Sequence, residues 1–171
     1  MKGIVIDVEA TGPHPVKYAM IQVGAVTLDG ETFSAKMRPW AGAHFDPGAM
    51  NALKLTKEEV MDWPDPKMQT WAFYEFLMDT TKGKRIPSWS DNPAFDWQFI
   101  NAYLHEYADH NPLGFSMRRI GDLYAGHVGD VTAATKWKSL RDTAHTHDAL
   151  DDAKGNAEAL SKILRMMKAR K

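Results

Sequence analysis

The 171-residue chain predicts an α/β fold, a mixed sheet that opens with three antiparallel strands and is flanked by helices. Three observations carry that prediction. Ile4-Val5-Ile6 is a β-branched run that reads as a buried strand. Asp29-Gly30 lies between two apolar segments and is a hairpin signal. From Lys67 onward, helical segments alternate with short strands.

The first strand and its turn span Lys2 to Gly12. Met20 to Leu28 is the second strand, and Thr32 to Met37 alternates as its hairpin partner. Glycines and prolines make Pro39 to Met50 a loop, with a short helix near Met50 to Leu53. Thr56, with Glu59 three residues on, starts a capped helical turn. Lys67 to Met78, carrying Met68, Trp71, Ala72, Glu75 and Leu77, fits a helix packed on a sheet. Ile86 to Trp89 is a short strand, and Ser90-Asp91-Asn92-Pro93 breaks the chain before a helix from about Ala94 to Tyr107. Phe115 to Arg119 reads as a strand and Ile120 to Gly126 as a helix. Gly129 to Thr146 is mostly loop with a helical turn at Trp137 to Leu140, and the stretch Gly129 to Lys138 reads as an insertion. The last helix runs from about Asp148 to Met167. With no repeat, linker or low-complexity stretch, residues 1–171 are expected to form one domain.

An apolar content of 44% is enough for a core, and the absence of cysteine excludes disulfides and thiolate metal sites. A net charge of −1 argues against a protein that coats nucleic acid by charge alone, though not against an enzyme acting on it. There is no basic segment leading into an apolar run and no stretch of membrane-spanning length, so a soluble cytoplasmic protein with no membrane partner is expected. Lys162, Arg165, Lys168, Arg170 and Lys171 read as a solvated helix end favoured by the macrodipole, or as a nucleic-acid contact.

Chemistry is suggested where the first strand ends. Alternation puts Asp7 and Glu9 on one face, and like charges buried side by side call for a cation bound through oxygen. About three acid-x-acid pairs are expected by chance in such a chain, so the signal needs partners downstream. Asp96 provides one, in the first turns of a helix after a strand; a plain helix-start aspartate with Phe95 and Phe99 as core is the bland alternative. His147 and Asp152 provide the other, an imidazole just before a helix and a carboxylate on its second turn; an acid-rich helix start with exposed histidines is the alternative.

Together and in this order, Asp7-Val8-Glu9 with Ala10-Thr11-Gly12, Asn92 to Asp96 with Phe99, and His147 with Asp152, four residues lying between them, resemble the DEDDh 3′-5′ exonucleases, which have a ribonuclease-H-like fold. No tyrosine stands four positions before an aspartate, which disfavours the tyrosine-type subgroup. Ser88-Trp89-Ser90 and His147 to Ala153 are most similar to short stand-alone exoribonucleases that trim adenylate-rich RNA. The resemblance implies two Mg²⁺ or Mn²⁺ ions per site, held by Asp7, Glu9, Asp96 and Asp152, with Asp7 shared by both and His147 taking the proton of the attacking water. Oxygen-only ligands suit those ions better than Zn²⁺. It further implies a single-stranded nucleic acid 3′ end as substrate, RNA favoured, releasing nucleoside 5′-monophosphates, and a possible homodimer in which one subunit lends basic residues to the other.

Thr11, Gly12, Met50 and Asn92 are the expected substrate contacts. The amides of Thr11 and Gly12 would meet the terminal nucleotide, and Trp40, Phe45, Met50 and Leu53 fall where relatives place apolar wedges, with core packing as the alternative. Trp89 and Trp97 read as core. His145 does not fit the family spacing as a substitute for His147, and Asp148 and Asp151 read as cap and solvated residues. Competing functions are a single-stranded DNA or short-oligonucleotide exonuclease, a phosphodiesterase on small nucleotides, and a non-catalytic nucleotide-binding domain.

Overall fold

Strand β1 (Ile4–Ala10) is the spine of a five-stranded sheet. The computed structural model describes residues 2–108 and 110–169. To one side of β1 lie β2 (Met20–Thr27), antiparallel to β1, and β3 (Thr32–Lys36), antiparallel to β2; to the other lie β4 (Ser88–Ser90), parallel to β1, and β5 (Arg118–Arg119), parallel to β4. The strand order is β3-β2-β1-β4-β5. The three antiparallel strands at the N-terminus and the flanking helices agree with the sequence reading.

Alternation along β1 sorts the core into two layers. Ile4, Ile6, Val8 and Ala10 face a layer built with Phe73, Leu77, Phe99 and Leu104 from α3 (Pro66–Thr81) and α4 (Pro93–Tyr107). Val5 faces the opposite layer, where Ile120 of α5 (Ile120–Val128), the fully buried Trp137, and Ala153, Leu160 and Ile163 of the last helix meet. Between β3 and α3, two short helices, Pro47–Leu53 (α1) and Lys57–Met61 (α2), enclose a small cluster of Ile21, Met50 and Val60. Among the described residues no helix is long and apolar enough to cross a membrane.

Several boundaries differ from expectation. Helix α1 begins at Pro47 rather than near Met50, because Asp46 Oδ1 accepts a hydrogen bond from Ala49 N–H and proline is favoured in the first turn. Strand β5 is two residues long, not five; Phe115 is 90% exposed and contributes nothing to the sheet. The segment after Gly129 forms two 3₁₀ turns, Val131–Ala133 and Lys136–Leu140, and the second plants Trp137 in the core. Thr56 makes the expected capping box with Glu59. Lys162 is not a free solvated cation, since its Nζ donates to Leu140 O at 2.9 Å and Asp142 Oδ1 at 2.7 Å; Arg170 and Lys171 lie outside the described residues.

The last helix, α6 (Ala149–Ala169), lies across β1 and β2 at a close approach that β2 permits through Gly24. A methyl group there would stand 2.2 Å from Ala149 O and 2.4 Å from Leu150 N. Gln22 Oε1 accepts from Ala149 N–H at 3.4 Å and marks the same contact. Gly24→Ala is therefore expected to lift the first turn of α6 and cost about 1–3 kcal/mol in urea denaturation. A loss under about 0.5 kcal/mol, ordinary for a surface change, would show that this approach does not matter.

Candidate active site

The face of β1 that begins with Val5 continues with Asp7 and Glu9, so the polar end of that stripe points toward the N-terminal half of α6. On α6, Asp152 and Asn156 are one turn apart and project back at it. Asn156 Nδ2 donates to Asp7 Oδ1 at 3.4 Å. Asp7, Glu9 and Asp152 each bring a carboxylate oxygen within 4.8 Å of the others. Asp96, in the first turn of α4, reaches the same strand, where its Oδ1 accepts from Val8 N–H at 3.0 Å. The four acids assigned from sequence thus converge from three separate parts of the chain.

Crowding shows in their acidities. Burial first, then repulsion from Asp96, Glu9 and Asp152, raises the Asp7 carboxyl well above its usual range. Burial, with repulsion from Asp152 and Asp96, pushes Glu9 up to about 8. Asp96 is pushed up to about 7, chiefly by burial, although the Val8 N–H works in the other direction.

Asp152 is handled differently. Its side chain is 1% exposed and receives Arg141 Nη2 at 2.8 Å and Thr146 N–H at 3.2 Å on Oδ1, with His145 Nδ1 at 2.7 Å and His147 N–H at 3.1 Å on Oδ2. The guanidinium fits because Gly155 leaves room; a methyl group there would stand 2.4 Å from Arg141 Nε. His147 sits in the left-handed region at φ 59°, held by that amide bond, and its Nδ1 is 4.0 Å from Glu9 Oε1.

Beside the acids opens a cavity of about 380 Å³ lined by Glu9, Gly12, Pro13, Ala49, Leu53, Phe95 and His147, among others. Gly12 is the residue that lets the loop close over Tyr18, whose ring would be 2.2 Å from a methyl group at this position. Three expected substrate contacts need correction. The Thr11 amide is not available, since it donates to Ala19 O at 2.8 Å; the buried hydroxyl donates to His44 O at 2.7 Å and accepts from Ala19 N–H at 2.9 Å, pinning the loop. Met50 points into the small cluster with Ile21 and Val60, so Leu53, not Met50, lines the cavity. Trp40 lies against a separate cavity with Pro15, Tyr103 and Tyr107. Asn92 is exposed, and its carbonyl accepts from Phe95 and Asp96 N–H at the start of α4. Phe45 packs against the Ile21 cluster, Trp89 is core, and Trp97 packs against the main core. Asp148 caps α6 through Leu150 N–H, and Asp151 pairs with Lys154.

Sequence reading missed Arg141 and Asn156, and it set His145 aside because its spacing does not fit the family. Asn156 was one helical turn from Asp152 and findable by that spacing; Arg141 and His145 lie in irregular chain, where spacing carries no geometry.

A mixed sheet of this order with acidic residues gathered at the end of its central strand defines the DEDDh nucleases of the ribonuclease-H-like fold. Solved structures with that fold include the nuclease domain of 3'hExo, a DEDDh family member, bound to rAMP, at TM-score 0.74 and 17% identity over 96% of this chain and 92% of that one. E. coli Exonuclease I in complex with a dA16 oligonucleotide superposes at TM-score 0.70 and 15% identity, over 99% of this chain and 41% of that one. The chain belongs to the 3'-5' exoribonuclease Rv2179c-like domain family, whose model matches residues 2–164. A curated relative, the 3'-5' DNA exonuclease Cap18 of Escherichia coli, is 31% identical over 180 residues, 97% of this chain and 93% of the relative. The protein is accordingly a 3′-5′ exonuclease, a phosphodiester hydrolase.

DEDDh nucleases use divalent metal ions, and the residues present fit them. The donors are carboxylate oxygens, burial and then repulsion from neighbouring carboxylates make Asp7 and Glu9 weaker acids than usual, and the buried Asn156 Oδ1 has no hydrogen-bond partner. Without cations, the folded state binds protons at Glu9 and Asp96 that the unfolded chain has already released. The resulting cost is absent below the unfolded acidity constants, near pH 4, and complete above about 8. Metal-free protein should therefore melt at lower temperature at about pH 8.5 than at about pH 6. Mn²⁺ at about 100 times its dissociation constant should raise the pH 8.5 midpoint by about 5–10 °C. Equal midpoints at both pH values in chelator, with no effect of Mn²⁺, would contradict this electrostatic account.

Proposed function

We propose that the protein hydrolyses single-stranded RNA from a free 3′ end and releases nucleoside 5′-monophosphates, with two Mg²⁺ or Mn²⁺ ions held by Asp7, Glu9, Asp96 and Asp152. The observation that carries the reading is the convergence of these carboxylates at the mouth of an apolar cavity, with the His147 imidazole turned toward Glu9. Bound there, the ions would supply charge stabilisation at the scissile phosphate and make water acidic enough to attack it.

The remaining work falls to the chain. Arg141 and the Thr146 and His147 amides hold Asp152 in one orientation. His147 takes the proton of the attacking water at Nδ1, the atom facing Glu9, and its exposed ring can turn to do so. Gly12, Ala49, Leu53 and Phe95 offer apolar walls against which a terminal base stacks, and stacking tolerates any base. Asn92, exposed before α4, stays a candidate contact to the strand. The family description supports RNA. A second reading, single-stranded DNA, is supported by the relative of 31% identity that is named a DNA exonuclease. A homodimer belongs to the same proposal and is tested by light scattering.

End-labelled RNA and DNA oligomers of matched sequence, with free or blocked 3′ ends, separate these readings. The expected result is shortening from the 3′ end, faster on RNA, that stops with chelator or a blocked end. Faster loss of DNA would favour the second reading, and cleavage in chelator would overturn both. His147→Ala should lower turnover about 10²–10⁴-fold with Mn²⁺ affinity nearly intact. A loss of Mn²⁺ affinity as large as that of Asp7→Ala would remove His147 from the role of base.

A further inference from the structure

Asp152 also belongs to a second donor set whose chemistry differs from the first. His145 Nδ1 stands 2.7 Å from Asp152 Oδ2, and the His145 and His147 rings meet edge to face with centroids 4.3 Å apart. One nitrogen from each ring and one Asp152 oxygen lie within 4.8 Å of one another. The imidazoles are 56% and 42% exposed, whereas Asp152 is 1% exposed and Arg141 beside it 9%. A fixed carboxylate is thus flanked by two rings with room to turn.

A carboxylate has about four lone-pair sites, and four donors already meet those of Asp152. Any cation that takes this carboxylate displaces one of them. Arg141 is largely enclosed and ion-paired, and two of the donors are backbone amides, so the exposed ring of His145 is the one that can leave. Once turned, it presents Nδ1 to the space it shared with His147 and Asp152.

We propose that His145, His147 and Asp152 form a second binding site, overlapping the first at Asp152, for a borderline divalent ion of the Zn²⁺ class. Two imidazole nitrogens and one carboxylate oxygen are a ligand set such ions accept, with a fourth position left to water, while Mg²⁺ and Mn²⁺ favour the all-oxygen set. For those hard ions His145 is a displaced neighbour; for Zn²⁺ it is a ligand. Zn²⁺ bound here holds Asp152 and His147 together and withdraws both from the oxygen site, so it inhibits. The inference rests on donor geometry and goes beyond the hydrolytic reading, because its test needs no nucleic acid.

Calorimetric titration of metal-free protein with Zn²⁺ and, separately, with Mn²⁺ gives the answer, comparing the natural chain with His145→Ala and with His145→Gln, which keeps an N–H for Asp152 but no imidazole. Both variants should bind Zn²⁺ at least about fivefold more weakly and Mn²⁺ as tightly as before or more so. With Co²⁺ as probe, they should also lose the nitrogen-ligand signature in the visible spectrum. A Zn²⁺ loss below about fivefold in His145→Gln, or a parallel loss of Zn²⁺ and Mn²⁺ affinity in that variant, would overturn the proposal.

Discussion

Burial of mutually repelling carboxylates at the end of β1 is the constraint around which the structure is arranged. Asp7, Glu9, Asp96 and Asp152 are brought closer than unpaired charges tolerate, and the largely buried guanidinium of Arg141 is aimed at one of them. The acids are held from different directions: two by one strand, one by the start of α4 and one by α6. None can relax away without unpacking an element that also carries core residues. Strain of this kind is relieved by a divalent cation, and the same relief makes the site useful for handling a phosphate.

Asp152 shows how the local chain is built for this position. Two amides from the irregular segment before α6 and the Arg141 side chain from the 3₁₀ region converge on it, while Gly155 keeps the helix surface open for the guanidinium. Gly24 performs the matching service on the sheet, allowing the first turn of α6 to lie against β2. Gly24 therefore sets how closely the helix that carries Asp152 approaches the sheet, and Gly155 admits the guanidinium that holds Asp152. The cavity beside them is apolar on the side away from the charges, which suits a base stacked at the end of a strand.

Much of this was legible in the chain. Alternation put Asp7 and Glu9 on one face of β1, and the order of the three motifs singled out Asp96, His147 and Asp152. Capping chemistry fixed Thr56 as a helix start. Illegible were the features set by tertiary contact. Pro47 and Gly48 read as loop because helix formation there depends on the Asp46 cap and on burial of Met50 against Ile21 and Val60. Thr11 looked like a free loop amide because nothing local reveals that Ala19 and His44 claim it. Arg141 gave no signal since its segment has no periodicity, His145 was set aside on spacing, and only the folded chain brings both to Asp152.

Counting the Mn²⁺ ions bound by metal-free protein, by electron paramagnetic resonance of the free ion as Mn²⁺ is added until the protein is saturated, tests the central claim most directly. The account predicts two ions per chain for the natural protein and a marked loss of binding when Asp7→Asn removes the charge from the middle of the cluster. Unchanged binding in Asp7→Asn, or no bound Mn²⁺ in the natural chain, would contradict it.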